Sequence, residues 1–130
     1  MTTKIPLQDN PIVEKTFRFA IRILKLSQIL HTHKHYILAN QLQRSGTSIG
    51  ANTREAQNAE SKADFVHKFK IAAKEADETE YWLLLSNEMI SDLTIIELLD
   101  ELKIIQKIIT KIIATTKGQL ANKQIDKLTN

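Results

Sequence analysis

The chain has no cysteine, two prolines, three glycines and one tryptophan among its 130 residues. Without thiols there is no disulfide framework, no thiolate metal site and no cysteine nucleophile, and nothing in the composition supports secretion. The shortage of Gly and Pro leaves few tight turns and favours long helices with short connections. No run approaches the roughly 18 apolar residues that span a bilayer, and the start, MTTKIPLQDNPIVEK, lacks the apolar core of a signal peptide. A cytoplasmic protein with no membrane partner is expected.

What is present fits one soluble domain. Apolar residues make up 42% and charged residues 25%, and a chain of this length buries about two-thirds of its unfolded surface around one core. The formal charge is only +3, but it is unevenly spread. Residues 1–74 hold twelve Lys/Arg against five Asp/Glu, whereas residues 75–130 hold six against ten. One part of the molecule is therefore expected to attract polyanions while another repels them.

Four helical patterns follow one another. Asn10 is the expected N-cap of the first, with Pro11 at the first helical position, where its missing N–H costs nothing. Val13, Phe17, Ala20, Leu24 and Ser27 recur at four-three spacing, and Ile12, Thr16, Phe19, Ile23, Leu26 and Leu30 widen that face. After a polar connection at His31–His35, the residues Leu38, Leu42, Ser45, Ile49, Asn52, Ala56 and Ala59 repeat over three heptads. The loop-like SGTSIGAN lies inside that repeat and is read as helix. Gly46 and Gly50 each cost a helix about 0.5–1 kcal/mol relative to Ala, so close helix approach is expected there, with Ala72, Ala73 and Ala76 of the third helix as partners. Ser61 and Asp64 are placed as a capping box, followed by the stripe Phe65, Phe69, Ala72, Ala76, Thr79 and Leu83.

The fourth pattern has one ridge of Ile95, Leu98, Leu102, Ile105, Ile109 and Ile112 and a second of Leu93, Ile96, Leu99, Ile104, Ile108 and Ile113. That is more apolar surface than one seam of a monomeric bundle needs, which predicts self-association. Gly118 reads as a helix C-cap position. The predicted organisation is an N-terminal extension over 1–10, a four-helix bundle over 11–118 with helices near 11–31, 36–59, 61–87 and 92–117, and a frayed polar tail over 119–130.

The stretch from Gln41 to Leu83 also resembles a known family. R-S-x-x-S-I-x-x-N, E-A-x-x-A-x-S-x-x-D-F and K-E-A-x-E-T-x-Y-W-L are met by Arg44, Ser45, Ser48, Ile49 and Asn52, by Glu55, Ala56, Ala59, Ser61, Asp64 and Phe65, and by Lys74, Glu75, Ala76, Glu78, Thr79, Tyr81, Trp82 and Leu83. This is similar to the 23S rRNA intervening sequence proteins, many of them encoded within insertions in 23S rRNA genes, and to the related accessory variability proteins of diversity-generating retroelements. The resemblance implies an all-α, left-twisted, up-and-down four-helix bundle that assembles as a homopentamer. It also implies a basic surface for nucleic acid and, for the retroelement proteins, binding to a reverse transcriptase. Gly50 departs from the family pattern by loosening a helix that the pattern otherwise supports.

No catalytic constellation accompanies these motifs. Gly46–Gly50 lacks the Gly-Lys-Ser/Thr ending of a phosphate-binding loop. His31, His33 and His35 have no identifiable fourth ligand. Asp64 and His67 sit one turn apart, but the chain has no Glu-x-x-His, which di-iron bundles require on two helices. Glu75, Asp77, Glu78 and Glu80 spread around one helix and are read as ion-pair partners, and Tyr81 and Trp82, beside three leucines, as core or subunit interface rather than base-stacking groups. No enzyme activity, metal or cofactor is expected.

The remaining feature is basic. Lys15, Arg18, Arg22 and Lys25 share one face of the first helix and span about 15 Å at 1.5 Å per residue, and Arg44, Arg54, Lys62, Lys68, Lys70 and Lys74 extend the positive field. Lys15, Arg18, Arg22, Lys25, Arg44, Arg54, Lys62 and Lys68 are the candidate nucleic-acid-binding residues, with RNA favoured and contact directed to the backbone. The competing reading is a protein-interaction scaffold, an accessory subunit for a nucleic-acid-processing partner such as a reverse transcriptase.

Overall fold

The computed structural model describes residues 9–129. Residues 1–8 of the predicted N-terminal extension lie outside the described residues. Four helices follow in order: α1 Pro11–Thr32, α2 Tyr36–Ala56, α3 Lys62–Met89 and α4 Leu93–Thr129. Each short connection reverses the chain. Asn10 meets Gln57, Thr16 meets Gly50 and Ile23 meets Gly46 across α1 and α2. Glu55 meets Lys68 and Ser45 meets Thr79 across α2 and α3, and Lys62 meets Gln119 and Asp77 meets Gln106 across α3 and α4. α1 closes the ring against α4, and among the described residues the backbones of the diagonal pairs, α1 with α3 and α2 with α4, stay more than 8 Å apart at their Cα atoms. The result is an all-α, antiparallel four-helix bundle. No helix among the described residues is long and apolar enough to cross a membrane.

The helix ends follow from local chemistry. Asn10 accepts a hydrogen bond from the Ile12 N–H at 3.2 Å, with Pro11 next in the chain. Ser61 Oγ accepts from the Asp64 N–H at 3.0 Å, while the Asp64 carboxylate accepts from the Glu60 N–H at 3.3 Å. α1 stops at Lys34, whose φ of 66° places an L side chain in the left-handed region. There the His35 N–H donates to Leu30 O and the Lys34 N–H to His31 O, the two bonds that close a Schellman motif.

The core is one cluster. Phe19, Ile23, Leu26 and Leu30 meet Leu42 and Ile49, Phe69, Ala72, Ala76 and Leu83, and Ile95, Leu98, Leu102 and Ile109, all essentially inaccessible. The buried face of α1 is therefore the stripe Ile12, Thr16, Phe19, Ile23, Leu26 and Leu30, with Val13 and Ser27 at its edge. Phe17 and Leu24, placed on the central seam by spacing alone, are 48% and 40% exposed. Two adjacent stripes of α1 obey the four-three rule, and the one carrying Ile23, Leu26 and Leu30 is buried.

Four further expectations are corrected. A methyl group on Gly46 would come within 2.7 Å of the Ile23 side chain, and one on Gly50 within 3.3 Å of the Thr16 carbonyl. Both glycines thus admit α1, not the alanines of α3; the α2–α3 contact is made instead by Ser45, whose Oγ accepts from Thr79 Oγ1 at 3.0 Å. α2 ends at Ala56, so Ala59 lies in the connection. Gly118 does not cap α4, which continues to Thr129. One Gly costs about 1 kcal/mol in a helix, and the helix-forming QLANKQIDKL that follows has no Pro to stop it. The second ridge of α4 is split: Leu99, Ile108 and Ile113 pack on the core, while Leu93, Ile96 and Ile104 are 74%, 45% and 51% exposed.

Candidate nucleic-acid interface

The eight candidate cations do not share a face. Lys15, Arg18, Arg22 and Lys25 run along the α4 side of α1. Lys15, Arg18 and Arg22 rim a groove of about 450 Å³ floored by Ile21, Ile104 and Ile105, with Glu101 as its one acid. Arg44 and Lys68 lie on the opposite seam, between α2 and α3. Arg54 edges a smaller apolar groove between α1 and α2, beside Phe17 and Gly50. Lys62 donates to Gln119 Oε1 at 3.2 Å at the open end of the bundle.

Several of them are already engaged. Arg18 donates to Glu14 at 3.0 Å, one turn back on its own helix. Arg22 donates to Glu97 at 3.0 Å and also binds Glu101, so α4 clamps it with two carboxylates. Burial alone would lower its pKa, but the hydrogen bonds and charges of Glu101 and Glu97 outweigh that and raise it. Arg44 binds Glu78 and, at 3.3 Å, Glu75. Its hydrogen bond to Glu78 raises the guanidinium pKa and lowers that of the carboxyl, helped by the Trp82 indole N–H donated to the same oxygen at 3.2 Å. Lys68 approaches Glu55 at 3.9 Å. Among the described residues Lys15, Lys25 and Arg54 form no ion pair within 4.0 Å.

These pairings expose a finer charge division than the halves 1–74 and 75–130. Residues 75–101 hold nine Asp/Glu and no Lys/Arg, while residues 102–130 hold six Lys and one Asp. The acidic block runs from the middle of α3, through the α3–α4 connection, to the third turn of α4, and four of its carboxylates hold Arg22 and Arg44 near mid-bundle. The lysines of α4 follow directly, from Lys103 near mid-bundle to Lys127 near the end of the helix. Lys103, Lys107, Lys111 and Lys117 are all exposed and without a carboxylate within 4.0 Å among the described residues. A boundary at residue 74 averages a strongly acidic block with a basic one and conceals these lysines. The legible signal was the absence of any acid from Leu102 to Ile125.

The histidines of the α1–α2 connection have local partners. His31 meets Tyr36 edge to face with ring centroids 4.8 Å apart, and an His33 ring nitrogen lies 2.8 Å from Ile29 O. Among the described residues no group of three or more His, Cys, Asp or Glu side chains is placed to hold a metal ion.

Four antiparallel helices around one aliphatic core, with charge rather than a deep cavity as the main surface feature, define a small four-helix bundle protein. The chain belongs to the 23S rRNA-intervening sequence protein family, which it matches over residues 8–111. It is similar to a crystallised protein of unknown function from the S23 ribosomal protein family of Bacteroides thetaiotaomicron VPI-5482. The two are 42% identical with a TM-score of 0.74, over 78% of this chain and 97% of that one. No curated protein matches the chain. The family match ends at Lys111, so the last part of α4, from Ile112 to Thr129, lies beyond it.

Proposed function

We propose that this chain is a non-enzymatic, self-associating helical bundle that binds nucleic acid, RNA above all, through phosphate contacts made by a basic surface. The observation that carries the reading is the sorting of charge along the bundle: acids gather toward one half and pair with two arginines near its middle, leaving the opposite half richer in lysine. Lysine ammoniums on flexible stems are point charges, suited to phosphates and indifferent to base identity. Family membership, in proteins named for 23S rRNA insertions, agrees with an RNA partner. Self-association is supported by apolar residues left exposed, Leu93, Ile96 and Ile104 on α4 and the stripe Phe17, Ile21 and Leu24 on α1; the number five comes from the family resemblance. Repetition of one basic surface around a ring would turn weak phosphate contacts into avidity.

The test is a titration of fluorescently labelled single-stranded RNA followed by anisotropy between 50 and 200 mM salt. Affinity is expected to fall steeply with salt and to be the same for scrambled sequences. Absence of binding at the lowest salt with micromolar protein would end the reading, and recovery of a protein partner instead would favour the scaffold.

A further inference from the structure

Resting on the nucleic-acid reading, we propose that the phosphodiester backbone is held on the outer face of the C-terminal half of α4, by Lys103, Lys107, Lys111 and Lys117 with Lys70 of α3, rather than on the α1 ridge.

Lys103, Lys107 and Lys111 recur every four residues, so their side chains form one row about 12 Å long at 1.5 Å per residue. That length covers roughly three phosphates of a strand at 3.4 Å each. Like charges at this spacing destabilise a helix by about 0.2–0.5 kcal/mol per pair, and none of the three forms an ion pair within 4.0 Å among the described residues; Asp100, one turn before Lys103, is the one acid of α4 bordering the row. The helix dipole does not explain the row either, because its pull on cations fades beyond the last turn, and α4 runs on to Thr129. A merely solvated helix face mixes signs; this one has no acid between Leu102 and Ile125.

The α3 flank adds a second observation. Lys70 and Lys117 approach across the α3–α4 seam, and the Lys70 ammonium holds the Lys117 pKa below its ordinary value. Two ammoniums facing each other with no carboxylate between them are relieved by a bridging anion, and a phosphate oxygen pair supplies one. On α1, by contrast, Arg22 is clamped by Glu97 and Glu101 and Arg18 is held by Glu14. Lys15 and Lys25 remain there, ten residues apart.

Two sets of variants separate the faces. One carries Lys103→Gln, Lys107→Gln, Lys111→Gln and Lys117→Gln, the other Lys15→Gln and Lys25→Gln. Gln keeps helix propensity and removes repulsion, so both sets should melt no lower than the parent. In the RNA titration the α4 set should lose about tenfold or more in affinity at 100 mM salt, with a salt slope shallower by about 0.7 per lost contact. The α1 set should stay within about threefold of the parent on the same electrostatic count. Parent-like binding by the α4 set, or a larger loss in the α1 set, overturns the assignment while the nucleic-acid reading stands. A parent protein that binds no RNA removes both.

Discussion

Gly46→Ala asks whether the close approach of α1 and α2 is real. Replacing Gly by Ala inside an exposed helix should stabilise it by about 0.8–1 kcal/mol. At Gly46 the added methyl would meet Ile23 Cγ2 at 2.7 Å and Cγ1 at 2.9 Å. Ile23 is 0% exposed, and a β-branched side chain on a helix has one strongly preferred rotamer, so it cannot swing aside. Overpacking of this kind costs about 1–3 kcal/mol, which exceeds the propensity gain over most of its range. The net effect should be a loss of up to about 2 kcal/mol, or up to several degrees in Tm for a domain of this size. The assay is thermal and urea unfolding by circular dichroism at one fixed protein concentration, because association shifts apparent stability. Ile23→Ala alone should cost about 2–5 kcal/mol. In the double variant the new methyl enters the space Ile23 vacates, so the combined loss should be smaller than the two single losses together. A Gly46→Ala protein as stable as the parent, with strictly additive effects in the double variant, would refute the packing argument.

Other substitutions test other parts of the structure. Gly118→Ala meets nothing within 4 Å, so it should raise the helical signal at 222 nm and leave Tm nearly unchanged, since it strengthens the exposed end of α4 rather than the core; a lower helical signal would contradict a continuous helix there. Lys34→Gly should raise stability by about 0.5–1 kcal/mol in urea unfolding, because an L residue in the left-handed region costs about 1–2 kcal/mol and the Gly entropy penalty returns part of that. Arg44→Gln removes the group that depresses the Glu78 pKa. The contribution of that pair is present above the ordinary glutamate range near about 4.3 and is lost as pH falls through the depressed folded value. The stability gap between parent and Arg44→Gln should therefore be constant near neutrality and close in acid, and it should not exceed about 1 kcal/mol because both side chains are more than a third exposed. A gap that widens in acid would contradict the pairing.

Much of the fold was legible because the sequence offers few alternatives to long helices. The capping residues Asn10, Pro11, Ser61 and Asp64 mark helix starts by chemistry that acts within one turn, and such signals survive folding unchanged. Faces were harder. On α1 the stripe through Phe17 and Leu24 and the stripe through Phe19 and Ile23 have the same period, and only packing against three other helices decides between them. Gly46 and Gly50 announced a close contact but not its partner, since a glycine carries no information about what approaches it. The candidate interface was legible as composition and illegible as geometry. Arg22 and Arg44 look free in one dimension, yet their carboxylate partners lie more than thirty residues away in sequence and reach them only when the helices fold back on each other.

Charge sorting along the bundle has a consequence for salt dependence. α3, at 28 residues, is about 42 Å long, so the acidic and basic ends are centred roughly 20 Å apart. At 0.15 M salt the screening length is about 8 Å, and a polyanion at Lys107 to Lys117 is shielded from the acids around Glu88 and Asp92, which lie about 20 Å or more away along the bundle. The net charge of +3 then says little about binding, because only the local surface is felt. At 0.01 M salt the screening length grows to about 30 Å, and the acidic end begins to repel the same strand. A plot of log affinity against log salt should therefore be steep near 0.1–0.2 M, where counterion release governs, and flatten below about 0.02 M. Anisotropy titrations across that range read the curvature directly. A single straight line over the whole range would mean that the acids do not act as a separate pole, and neutralising Glu88 and Asp92 by Gln and Asn, far from the lysine row, should straighten the curve if they do.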